Sequence, residues 1–179
     1  MKTKTEKNTE NQITNAKRKD LSCLTVESPV GELLLVADES ALTGVYFAGR
    51  DHIPASSKHW KQDGKHPVLK RAVTQLKEYF DRKRTKFDLP LRPSGTDFQE
   101  RVWREIARIP FGKTLTYGEL AERAGSPSAI RAAGASTGAN PLSIIVPCHR
   151  VMGKSGKLTG FAGGLERKEE LLRLEKVLL

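Results

Sequence analysis

Residues 96–138 read TDFQERVWREIARIPFGKTLTYGELAERAGSPSAIRAAGASTG, and this stretch decides the fold. Thr96-Asp97-Phe98-Gln99 has capping-box spacing, in which a threonine and a glutamine three residues on satisfy the free N–H groups of a helix start. From there Phe98, Val102, Ile106 and Ile109 recur on one helical face, until Pro110-Phe111-Gly112 stops the helix. Thr116-Tyr117-Gly118-Glu119 repeats the capping box, with Leu115 and Leu120 placed as a hydrophobic staple. That second helix runs to Gly125, a natural C-terminal stop. Ser126-Pro127 supplies an N-cap and an N1 proline for a third helix reaching about Gly138. Two helices joined by so short a turn form a helix-turn-helix candidate.

The third helix carries Ala129, Ile130, Arg131, Ala132, Ala133, Gly134, Ala135, Ser136 and Thr137, with Arg131 its single long polar side chain. A helix that reads base edges in the major groove usually bears several such side chains. A nearly bare cylinder suits the minor groove instead, only about 6 Å wide in undistorted B-DNA, with little sequence readout. A tight alanine–glycine seam between helices is the other reading of the same residues.

Downstream, the apolar run Leu142-Ser143-Ile144-Ile145-Val146 is expected to be a buried strand that delivers Pro147-Cys148-His149-Arg150. A nucleophilic cysteine acts as its thiolate and needs polar or cationic neighbours to form it. Glu175 lies four residues after Leu171, three after Leu172 and three before Leu178, on an apolar helix face where a carboxylate needs a partner; an ordinary surface carboxylate on a frayed C-terminal helix is the other reading of the same spacing. Upstream, 21–27, 32–37 and 42–47 read as strands, with 28–31 as a turn. Val68, Leu69, Ala72, Val73, Leu76 and Phe80 then mark a helix over 66–80, followed by a strand-like 87–91 and a linker, 92–95. The predicted class is α+β: a flexible tail (1–20), a small N-terminal sheet-plus-helix domain (21–93), and a mainly helical, winged-helix-like domain with the helix-turn-helix (94–179). The first half shows no catalytic constellation.

The formal charge is +10, spread along the chain rather than gathered in a block, so it suits a polyanionic partner without defining one. Two cysteines, Cys23 and Cys148, make neither a disulfide framework nor a zinc pattern. Cys23 is most simply a small core residue, and a reducing compartment fits both thiols. No apolar run approaches the roughly 20 residues of a membrane span, and the polar, lysine-rich start lacks a secretory segment. A cytoplasmic protein is expected.

With Pro147-Cys148-His149-Arg150-Val151 following such a helix pair, the chain resembles the O6-alkylguanine-DNA alkyltransferases. The similarity spans essentially all of 96–175, through Pro110-Phe111-Gly112, Thr116-Tyr117, Arg131-Ala132, Gly138-Ala139-Asn140-Pro141 and Gly160-Phe161-Ala162-Gly163-Gly164-Leu165. It implies that Cys148 takes an alkyl group from O6-alkylguanine as a stable thioether, in a single turnover without cofactor or metal. His149 would act on the thiol through a water, Glu175 would orient the imidazole, and Asn140 would tie the recognition helix to the cysteine segment. Because the target atom lies inside a base pair, the nucleotide must be extruded. Arg131 resembles the finger that fills the vacated stack and Tyr117 the tyrosine that crowds the adjacent phosphate. Ala129, Ala132 and Gly134 would line the groove.

The resemblance also implies a pocket of Val146, Val151, Phe161, Ala162 and Gly163. Val146 and Cys148 would turn backbone carbonyls toward the exocyclic amine, and Ala162 its N–H toward O6. Phe161 departs from the tyrosine of many relatives and lacks its hydroxyl donor. Glu170 stands where relatives often have tryptophan. The implied partner is duplex DNA, bound by a monomer; cooperativity on DNA and activity on O4-alkylthymine are not fixed by these residues. Two other classes compete. A non-catalytic damage-binding protein would lack the cysteine that this chain has. A cysteine hydrolase would need Cys148 and His149 to pair directly, which an extended backbone disfavours.

Overall fold

In a computed structural model the protein is described over residues 21–49 and 52–179; the expected tail, 1–20, lies outside the described residues. The first half is a sheet of β1 (Ser22–Val26), β2 (Leu33–Ala37), β3 (Leu42–Phe47) and β4 (Lys61–Gln62), in the order β3-β2-β1-β4. β1 and β2 are antiparallel across the expected turn, where Gly31 takes φ 94°, a left-handed conformation open to glycine. Strand alternation sends residues to two faces. Cys23 and its cross-strand partner Val36 pack with Tyr46 on one face, while Leu33, Leu35 and Ala37 point into the main core on the other.

Helix α1 (Pro67–Phe80) covers that inner face with Leu69, Ala72, Gln75, Leu76 and Tyr79. Its proline sits in the first turn, where no N–H partner is lost. The strand expected over 87–91 reduces to a single bridge, Leu91 with Leu42. Gln75 explains the difference: its side-chain amide takes both the N–H and the carbonyl of Asp88, so the first part of the segment pairs with a helix and only its end reaches β3.

The second half holds α2 (Asp97–Ala107), α3 (Tyr117–Arg123), α4 (Ile130–Gly138), α5 (Leu165–Leu174) and a short parallel pair, β5 (Leu115–Thr116) with β6 (Val151–Met152). Both capping boxes form, Thr96 with Gln99 and Thr116 with Glu119. Gly125, at φ 77°, ends the last turn of α3 as its position suggested. α4 starts later than expected. Ser126 closes a turn by accepting from the N–H of Ala129, and Ala129, not Ser126, is the N-cap, with no side-chain cap bond.

One core runs through both halves, joining Leu33, Phe47, Leu69 and Tyr79 to Val102, Ile106, Leu120, Ile144, Val151 and Leu171. β3 is the seam. Val45 donates to Pro141 O (2.8 Å) and accepts from Ser143 N (3.1 Å), so the sheet edge holds the segment that leads to Cys148. No helix among the described residues is long and apolar enough to cross a membrane.

Candidate active site

The run 142–146 is buried as expected but is not a strand. Apart from the Leu142–Val45 bridge it is a series of tight turns: Ile145 N bonds to Ser143 O and Val146 N to Leu142 O, both at 2.8 Å. Ile144 takes φ 72°, which costs a β-branched residue on the order of 1–3 kcal/mol. Burial by neighbouring elements lets an apolar segment satisfy its backbone internally, without a ladder. Cys148 therefore opens a short 3-10 turn, Cys148–Arg150, rather than ending a strand.

Asn140 fixes that turn from the end of α4. Its amide Nδ2 donates to Val146 O at 2.8 Å and its Oδ1 accepts from Leu142 N at 3.0 Å. Val146 O also accepts from Cys148 N at 2.8 Å. Both lone pairs of that carbonyl are thus engaged, so the expectation that Val146 faces an exocyclic amine is not favoured by this geometry. Cys148 O accepts from Val151 N, and Val151 O from Lys168 Nζ.

Behind the cysteine lies a buried charge network. His149 is fully buried and its Nε2 sits 2.7 Å from Glu175 Oε1. Arg150 grips both carboxylate oxygens, Nε to Oε2 at 2.8 Å and Nη2 to Oε1 at 2.9 Å, and a further donor reaches Ile109 O. Tyr79 donates its hydroxyl to Oε1 at 2.7 Å, and Gly112 its N–H to Oε2 at 3.2 Å. Gly112 needs φ 73° to do so, in the turn that ends α2. Glu175 is the C-cap of α5, 2% exposed, with five donor groups on one carboxylate.

Burial alone pushes the Glu175 carboxyl up, but the hydrogen bonds and charges of His149 and Arg150 outweigh it and hold it at about 2. An ionised carboxylate only accepts, so His149 carries its proton on Nε2 and leaves Nδ1 as the acceptor. Nδ1 has no hydrogen-bond partner among the described protein atoms. Burial lowers the His149 pKa despite Glu175, so the resting imidazole is neutral. The Cys148 thiol is raised by burial, while the Asn140 side chain and the Lys168 charge pull it down. Burial thus favours the uncharged forms of both the thiol and the imidazole.

Lys168 is fully buried and donates to Val151 O at 2.6 Å and Thr159 O at 2.9 Å. Burial holds its pKa at about 8. It thereby ties the cysteine turn to the loop of Phe161, Ala162 and Gly163. Phe161 packs edge-on to Phe47 at 5.6 Å, and a Cβ on Gly163 would lie 2.5 Å from the Phe47 ring, so only glycine fits there. Tyr117 is half-buried between that loop and α4: its hydroxyl makes long contacts to Thr159 O and Gly160 O, and its ring lies over Gly134.

α4 has one buried face and one exposed face. Ala133, Ser136 and Thr137 form a buried seam, with Ser136 O accepting from Trp103 Nε1 at 2.7 Å, while Arg131 and Ala132 lie on the exposed face. Ala129 is half-buried at the helix start. Glu170 is exposed on α5.

The sequence points to Arg150 only as a neighbour of Cys148, and to neither Tyr79 nor Lys168. Lys168 had a signal: it precedes Leu171, Leu172 and Glu175 by three, four and seven residues, on the same helical face. Among the described residues no group of three or more His, Cys, Asp or Glu side chains is arranged to hold a metal ion.

Residues 97–177 match the DNA-binding domain, and residues 21–93 the ribonuclease-like domain, of 6-O-methylguanine DNA methyltransferase. The methylated-DNA–protein-cysteine methyltransferase of Mycobacterium tuberculosis is 48% identical over 152 residues, covering 85% of this chain and 90% of the relative. That of Haemophilus influenzae is 42% identical over 84% of this chain and 83% of its own. The crystal structure of Mycobacterium tuberculosis O6-methylguanine methyltransferase superposes with a TM-score of 0.81 at 46% identity, over 87% of this chain and 93% of that one. The same organism's OGT in complex with DNA gives 0.78 at 47% identity, over 85% and 91%. The chain belongs to the O6-methylguanine DNA methyltransferase family.

Proposed function

We propose that this protein repairs duplex DNA by moving the alkyl group of O6-alkylguanine to Cys148 in one irreversible turnover. The observation that carries this reading is the buried Cys148–His149–Glu175 arrangement, in a chain whose relatives are named for this transfer. The Cys148 thiol gives its proton to His149 Nδ1 through an intervening water. Glu175 stabilises the imidazolium so formed, as the orienting acid does in other nucleophile–base relays. Sγ then bonds to the alkyl carbon as the carbon–O6 bond breaks in line. The released guanine takes back one proton, so no cofactor or metal enters the balance.

DNA lies against the exposed face of α4, where small side chains admit a minor groove. Arg131 enters the stack, Ala129, Ala132 and Gly134 border the groove, and Tyr117 crowds the phosphate so that the base rotates into the pocket. Val151 and Phe161 form apolar walls, and the Ala162 N–H faces O6. The Cys148 carbonyl, with one hydrogen bond from Val151, is the better placed acceptor for the exocyclic amine. Transfer of labelled methyl from a methylated duplex tests this: one equivalent moves per protein and then stops. Cys148→Ala binds the duplex and takes none. Label on Cys148→Ala, or continued turnover, contradicts the assignment.

A further inference from the structure

Besides the Val45 and Phe47 contacts, the first half of the chain reaches Glu175 through a single hydroxyl. Tyr79 is the penultimate residue of α1 and is fully buried. Its ring is set by Phe80, Phe87 and Phe111, with centroids 5.3, 5.4 and 6.1 Å away. The hydroxyl has little freedom and ends 2.7 Å from Glu175 Oε1. That is the oxygen that also accepts from His149 Nε2, at the same distance. The contact joins residues 96 apart in sequence.

Resting on the function proposed above, we infer that Tyr79 is a positioning residue: α1 fixes Glu175, and through it His149, by sharing Oε1. A hydroxyl–carboxylate bond this short is charge-assisted and directional. Burial and the neighbouring carboxylate both raise the Tyr79 pKa, so the hydroxyl stays protonated and always donates. Its donation draws charge from Oε1 and limits how strongly that oxygen holds the His149 proton. Arg150 on the same turn, Lys168 from α5 and the thiol of Cys148 are the other ionisable groups around the imidazole, besides Glu175. Among the described residues that hydrogen-bond to Glu175, Tyr79 alone comes from the first half. A helix of the first half thereby tunes the base that acts on Cys148.

Tyr79→Phe removes the hydroxyl and keeps the ring. With one donor gone, Oε1 holds the His149 proton more tightly, so the imidazole midpoint rises, by about 0.5–1 pH unit. The pH profile of single-turnover transfer to Cys148 moves up by the same amount. The plateau rate falls roughly threefold to tenfold as the carboxylate loses its fixed rotamer. Tyr46→Phe, a buried tyrosine on the opposite face of the sheet, leaves both midpoint and rate unchanged. Histidine-labelled protein followed by NMR gives the His149 midpoint without any reaction. A stable Tyr79→Phe protein with the wild-type midpoint and pH profile overturns the inference. If the wild-type protein itself transfers no methyl, it is the proposed function that fails, whatever the histidine titration shows.

Discussion

Cys23 and Cys148 are both free thiols, 3% and 4% exposed, and burial raises the pKa of each. Their surroundings could hardly differ more. Cys23 stands on β1 opposite Val36, shut in by Tyr46, Leu21, Ile53 and Trp60, and burial is the one influence on it. Cys148 meets the Asn140 amide and the Lys168 ammonium, both of which work against burial. The same contrast holds for charge. In the first half Arg71–Asp88, Arg84–Glu78 and Arg92–Asp38 lie on the surface; in the second, Arg150, Lys168, His149 and Glu175 are buried. Burial alone makes a thiol inert. Burial with a preorganised set of donors and charges makes a site.

The harshest way to break that difference is to empty the buried network of its anion. Glu175→Gln leaves Arg150 without a counter-charge in a buried site, which should cost about 3–5 kcal/mol in denaturant unfolding. Transfer should slow by at least about a hundredfold, since the imidazolium loses its stabilising charge. A stability loss below about 1 kcal/mol would mean the network is more hydrated than its geometry states.

A gentler probe is pH. The Glu175 carboxyl lies at about 2 in the fold against an ordinary 4.5, so the unfolded chain binds the proton first. Its contribution is fully present above about pH 4.5 and is lost as pH falls toward 2, roughly 3 kcal/mol in all. Lys168, lowered from 10.5 to about 8, behaves otherwise. Its burial disfavours the cation, so stability rises as pH climbs from about 8 to 10.5. Unfolding free energies across both windows, compared with Glu175→Gln, should flatten in the acid window alone.

Next comes the wall that both halves share. Gly163→Ala puts a methyl 2.5 Å from the Phe47 ring and 2.7 Å from Phe161, so the aromatic pair must shift. The expected loss is about 1–3 kcal/mol, with slower transfer because the pocket wall moves. A thermal midpoint and a single-turnover rate read both. At the far end of the scale, Asp88→Asn removes the surface partner of Arg71, whose pair is 50% and 84% exposed. Denaturant midpoints should change by less than about 0.5 kcal/mol, and transfer not at all.

How much of this could be read from the chain alone follows from the range of each interaction. The capping boxes at Thr96 and Thr116, the three long strands and the helix of 67–80 are local, written in spacing, and they stand where spacing put them. The segment 142–146 misled because burial in parts of a fold other than a sheet yields the same apolar run as a strand. Ser126 misled because its carbonyl closes a turn, which composition does not distinguish from a cap. Cys148 follows an apolar run and Glu175 falls on an apolar face, while His149 is legible as the neighbour of Cys148 and through the family motif. Tyr79 is not: on its helix it is one more aromatic on the core face, and its partner is 96 residues away. Side-chain networks between distant segments leave no period to read.

The central claim is that only one of the two buried thiols is chemically armed. Peptide mapping by mass spectrometry after incubation with a methylated duplex tests it directly, because Cys23 serves as the control within the same molecule. One added methyl is expected on the peptide holding Cys148 and none on that holding Cys23. An unmodified Cys148 in folded, DNA-bound protein, or methyl found equally on both thiols, would contradict it.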